Sequence, residues 1–139
     1  MIRKKDKIIE PELSYRLVGI LFRVHSELGR FCRERQYADA LEQELKKEDI
    51  LFKREQAAPV ADRKSNFADF VIEDKIILEL KAKQIVTKED YDQLQRYLQI
   101  AGKELGLLVN FRRKYLEPKR ILNTALYSEH SDKFVNSDY

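Results

Sequence analysis

An aspartate inside one apolar run, and a glutamate two residues before a lysine in the next, are the residues of this chain that could do chemistry. Asp69 interrupts NFADFVI, residues 66–72, and Glu79, Lys81 and Lys83 interrupt ILELKAK, residues 77–83. Side chains alternate across an extended strand, so Glu79, Lys81 and Lys83 share one face. Two carboxylates beside an ammonium group suit phosphoryl chemistry. The acids would hold a divalent cation, and the lysine would steady charge on a phosphate or hold the attacking water. The competing reading is a charged edge strand on which Glu79 and Lys81 form a solvated ion pair. An acid within an otherwise apolar strand, as at Asp69, is unusual and weighs against it.

The turn between the two runs decides whether the acids meet. A two-residue turn at Glu73–Asp74 pairs Asp69 with Leu78 and sends Glu79 to the other face, whereas a three-residue turn at Glu73–Asp74–Lys75 sets Asp69 opposite Glu79. The second is expected. Facing carboxylates repel unless a cation lies between them.

The elements that must position these groups follow from periodicity. Leu13, Leu17, Ile20, Leu21, Val24 and Leu28 recur at spacings of three and four, which predicts a helix from about Glu12 that Gly29 ends. A second helix is expected over Arg33–Lys47, with Tyr37, Leu41 and Leu45 on one stripe and Glu34 and Tyr37 on the same face. LFKREQ (51–56), NFADFVI (66–72) and KIILELKA (75–82) read as strands, the last two as a hairpin. Thr87 is a good N-cap for a helix from Lys88 to Ala101, closed by Gly102, on which Gln93 and Tyr97 stand four apart. LGLLVNF (105–111) reads as a fully buried strand and RILNTAL as a possible edge strand. The order α α β β β α β, with a possible further strand, predicts an α/β fold: a central mixed sheet flanked by helices.

With 139 residues, 43% hydrophobic and 37% charged, the chain suits one domain, expected at 11–125, after a basic arm at 1–10 and before a polar tail at 126–139. The net charge of +3 permits nucleic-acid binding without requiring it. Lys53, Arg54, Arg63, Lys64, Arg112, Arg113 and Lys114 flank the acids in sequence and could rim a phosphate site; a solvated surface is the alternative. Cys32 is the only cysteine, which fits a reducing compartment. The first residues lack a secretory signal, and no apolar run approaches the roughly 18 residues of a membrane span, so a cytoplasmic protein is expected. No glycine-rich phosphate loop is present, and His25 and Cys32 have no partners at metal or nucleophile spacing.

Taken in order, the E-x-x-Y of Glu34 and Tyr37, the A-D of Ala68 and Asp69, the E-L-K of Glu79 to Lys81, and the Q-x-x-x-Y of Gln93 and Tyr97 followed by LGLLVNF resemble the GxxExxY proteins. These belong to the PD-(D/E)XK nuclease superfamily. The resemblance covers about Leu13 to Phe111. It implies a restriction-endonuclease-like fold and a magnesium- or manganese-dependent nuclease acting on DNA. Asp69, Glu79 and Lys81 would be the catalytic set, with Glu34 as a further carboxylate near the metal. Gln93 and Tyr97 would hold the DNA strand; Lys83 from its strand face, Arg63 and Lys64 from the basic flank, and Tyr37 are expected to bind the nucleic acid beside them. Phe31 stands where the family has its first glycine, and Ala68 replaces the proline before Asp69. A module of the same fold that grips nucleic acid without cutting it, or mediates protein assembly, is the alternative. A domain this small leaves room for a homodimer.

Overall fold

The computed structural model describes residues 10–54 and 69–127. Helix α1 (Pro11–Leu28) starts with a proline, whose fixed φ and missing N–H suit a first turn, and buries Leu17, Ile20, Leu21 and Val24. It stops at Gly29, where φ is +77° and the amide reaches back to the His25 carbonyl at 2.8 Å. Helix α2 (Glu34–Lys47) is capped by the Gln36 side chain, which accepts from the Arg33 amide at 2.9 Å, and buries Tyr37, Ala38, Leu41 and Leu45.

Five strands follow: β1 (Phe52–Arg54), β2 (Phe70–Ile72), β3 (Ile76–Lys81), β4 (Leu105–Asn110) and β5 (Lys119–Leu122). They form one sheet in the order β1-β2-β3-β4-β5. Among the described strands only β3 and β4 run parallel, and helix α3 (Lys88–Ala101) makes the crossover that such a pair requires. The expected α/β arrangement with a mixed sheet is therefore present, and the possible extra strand is β5. It ends at Leu122 because Asn123 turns inward, giving its amide to the carbonyls of Leu98 (3.1 Å) and Lys103 (2.9 Å). Thr124–Tyr127 then form a 3-10 turn, so Leu126 and Tyr127 continue the fold rather than opening the expected tail.

The sheet separates two cores. Ile76, Leu78 and Leu80 of β3, with Leu105, Leu107 and Val109 of β4, pack against α1 and α2. Ile77, Leu108 and Ile121 pack on the opposite face against Leu94 and Leu98 of α3. A Cβ at Gly106 would come within 3.0 Å of the Leu94 side chain, so this glycine lets α3 settle onto β4.

β2 begins at Phe70, later than expected, and β1 begins at Phe52; residues 55–68, which include Arg63 and Lys64 and the expected end of β1, lie outside the described residues, as do the arm before Glu10 and the tail from 128. No helix among the described residues is long and apolar enough to cross a membrane.

Candidate functional site

The hairpin sets the site. Phe70 pairs with Leu78, Val71 with Ile77 and Ile72 with Ile76, leaving Glu73, Asp74 and Lys75 as a three-residue turn closed by the Lys75 amide on the Ile72 carbonyl at 2.8 Å. Continued by one residue, that register brings Asp69 opposite Glu79. The contacts agree: the Asp69 carboxylate accepts the Leu80 amide at 2.6 Å, and the Asp69 amide donates to the Glu79 carboxylate. Both acids lie on the α3 face, the face of Val71 and Ile77.

Glu79 and Lys81 are only 13% and 16% exposed, and the Lys81 ammonium stands 3.5 Å from Glu79 Oε2. Burial and then the neighbouring Asp69 push the Glu79 carboxyl up to about 8. Burial also pushes Asp69 up to about 6, although the Leu80 amide works against it. At Lys81 burial favours the neutral amine, but Glu79, Asp90, Glu34 and Asp69 outweigh it and hold the ammonium above its ordinary pKa. The result is a buried acid pair that resists carrying two charges, beside a firmly protonated lysine.

Asp90 is a member that sequence reasoning passed over. It sits in the first turn of α3, 7% exposed, and accepts the Thr87 amide at 2.8 Å. The same carboxylate reaches Lys83 at 2.6 Å and Lys81 at 3.7 Å. Burial would raise the Asp90 carboxyl, but Lys83, Thr87 and Lys81 together hold it low. The T-x-x-D pattern announced an N-terminal cap; that the cap would also anchor both lysines needed the β3–α3 geometry. Asn110 is the second omission. Its side-chain amide donates to the Lys83 carbonyl at 2.7 Å and its oxygen accepts the Lys83 amide at 3.1 Å, fastening the end of the lysine-bearing segment to β4.

Other expected site residues fare unevenly. Glu34 is exposed in the first turn of α2, near enough for its charge to raise both Asp69 and Lys81. It does not join Asp69 and Glu79 in a metal cluster: among the described residues no three His, Cys, Asp or Glu side chains converge as a ligand group. Tyr37 is a correction. Its ring is fully buried and stacks on Phe111 at 4.2 Å, and its hydroxyl bonds the Gly29 carbonyl and the Cys32 amide, so it braces the α1–α2 corner and cannot touch a nucleic acid. Lys83 is tied to Asp90 rather than waiting for a phosphate. Arg54 is likewise spent, on Asp39 (2.7 Å) and Glu42 (2.8 Å). Gln95 bonds the Leu122 carbonyl at 2.9 Å, so that flank of α3 faces β5; Gln93 and Tyr97 occupy the opposite flank, toward β2 and β3.

The donor set suits a small hard cation. Magnesium takes one or two carboxylates and completes its shell with water and phosphate oxygens, so Asp69 and Glu79 suffice without a third acid. Two buried carboxylates, Glu79 raised by burial and by Asp69, and Asp69 raised by burial and by Glu34, are also the groups such a cation would relieve.

No curated protein and no solved structure matches the chain. One family does match, over residues 11–121, a stretch that holds all three helices, the first four strands, and Asp69, Glu79, Lys81 and Asp90 alike: by that match the chain belongs to the PD-(D/E)XK nuclease superfamily.

Proposed function

We propose that the protein is a metal-dependent nuclease of the GxxExxY type that hydrolyses DNA phosphodiester bonds at Asp69, Glu79 and Lys81. The observation that carries this reading is the hairpin register, which puts Asp69 and Glu79 face to face with Lys81 alongside. A retired or merely structural site has no reason to keep two buried acids in mutual repulsion. Asp69 and Glu79 would hold magnesium or manganese, which supplies Lewis-acid polarisation of the phosphate and a more acidic water. Lys81 holds the attacking water or steadies the charge growing on the equatorial phosphate oxygens. The water oxygen bonds to phosphorus, the bond to the leaving sugar oxygen breaks, and that oxygen takes up a proton. Asp90 keeps Lys81 charged and aimed, and Glu34 adds negative charge without being a ligand. Gln93 and Tyr97, on the flank of α3 toward β3, are positioned to steady the strand.

The test is cleavage of end-labelled DNA with magnesium or manganese, comparing wild type with Glu79→Ala and Lys81→Ala. Cutting that needs the metal and falls by about a hundredfold or more in both variants is expected. Cutting that survives in both variants, or none with any DNA, would overturn the reading in favour of a binding module.

A further inference from the structure

Beyond the acids, the end of β4 carries a hollow of about 290 Å³ with a different chemistry. Arg30, Arg112, Arg113 and Lys114 line it, with two aromatic rings, and among the described residues no carboxylate does. Among the described residues no acid pairs with Arg30, Arg112 or Lys114; only Arg113 has one, Glu117 at 3.2 Å. The rings are Phe31 and Tyr115, 76% and 72% exposed. What sets these rings apart from other exposed apolar side chains, such as Tyr15 and Ile100, is that they stand among four cations in one hollow. The guanidinium of Arg30 lies 4.9 Å from the Phe31 centroid, and Arg30 and Arg112 hold each other through reciprocal bonds to their carbonyls at 2.8 and 3.0 Å. The cations are thus fixed beside the ring rather than swinging free.

This hollow adjoins a second one that lies next to the candidate active site. Gln84 and Arg113 also line a second hollow of about 300 Å³, whose floor includes Leu108 and Asn110. Leu108 is the register partner of Glu79, and Asn110 that of Lys81. Gln84 itself stands three residues past Lys81, at most about 10 Å of extended chain. A track that starts basic at Phe31 and takes in Glu117 and Lys119 farther on thus runs across the ends of β3 and β4, beside the β4 residues that pair with Glu79 and Lys81; the acids themselves line neither hollow.

Resting on the nuclease reading, we propose that this track binds single-stranded DNA, with an unpaired base stacked on Phe31 or Tyr115 and its flanking phosphates on Arg30, Lys114 and Arg113. A paired base hides its faces in the duplex, so exposed rings reward only unpaired ones. The hollow, about 290 Å³, lies at the small end of ligand pockets and is of a size to take one nucleotide. The substrate class that follows is a single strand or a frayed end, delivered toward Glu79 and Lys81.

The experiment is fluorescence anisotropy of the full chain in EDTA, so that binding is read without cleavage. The probes are a labelled oligodeoxythymidylate, a blunt duplex, an abasic oligomer and an oligouridylate, all of one length. Single-stranded DNA should bind more tightly than the duplex, and Phe31→Ala and Tyr115→Ala should each weaken it by about fivefold or more. Neither variant should alter binding of the abasic oligomer or the melting temperature. Equal or better binding of the duplex, or no effect of either ring, would overturn the inference; tighter binding of the oligouridylate would overturn the choice of DNA. The two readings fail separately. Ring-dependent binding without metal-dependent cutting sinks the nuclease and leaves this site, whereas cutting with ring-independent binding does the reverse.

Discussion

Asp69 and Glu79 hold folded-state pKa values of about 6 and about 8, well above those of an unfolded chain, and the consequence for stability has a definite sign. Between roughly pH 4 and pH 8 the folded protein keeps protons that the unfolded chain has lost, so folding weakens as pH rises through that window. Below it the penalty is absent, and above it the penalty is complete. Glu79→Gln removes the charge at nearly constant volume. In EDTA at pH 8 it should melt roughly 5 °C or more above wild type, and at pH 4.5 the gap should close. Magnesium at pH 8 should raise the wild type and leave the variant unmoved. A gap that persists unchanged at pH 4.5 would place its origin elsewhere. At this scale much was legible beforehand: the identity of the acids, their shared face with Lys81, and the turn length that joins them. Asp90 was not, because a cap residue betrays its second partner only once β3 and α3 are side by side.

The elements do the positioning, and their sequence signals differed in strength. Helix α3 begins after Thr87 and ends at Gly102, where those residues said it would. No sequence pattern fixed which strand neighbours β4 on its far side; β5 takes that place through Leu105–Leu122 and Gly106–Ile121 pairing. Nor did periodicity mark Gly106 as more than one residue of a buried strand. Its missing side chain sets the depth of α3, and with it the reach of Asp90 to the lysines. Gly106→Ala would drive a methyl against Leu94, which is 3% exposed and has little room to retreat. A loss of about 1–3 kcal/mol in denaturant unfolding is expected. Leu94→Ala added to it should cost less than the two single changes summed, since the second makes the space the first lacks. Strict additivity would mean that the helix does not rest on this contact.

Across the whole molecule, charge is unevenly spread although the net excess is only +3. Carboxylates and lysines cancel locally around Asp90, while at the end of β4 only Arg113 has an acid, Glu117, and Arg30, Arg112 and Lys114 have none among the described residues. Composition could not have told these apart, and Tyr37 shows the same limit from the other side: a polar aromatic on a helix stripe reads as a binding residue until the fold encloses it. The two proposed sites share one fastening, the Asn110 side chain that grips both the amide and the carbonyl of Lys83 while also accepting the Arg112 amide at 3.2 Å. Hydrogen exchange will read that fastening as a clock. Lys83 lies beyond the last residue of β3, where an amide ought to trade its proton with water almost at once. Held by Asn110, it should exchange on the slow schedule of the sheet. Asn110→Ala should release it to the fast schedule of a loop while amides in α1 and α2 keep their pace. A Lys83 amide that is fast in both proteins would mean the two sites move independently.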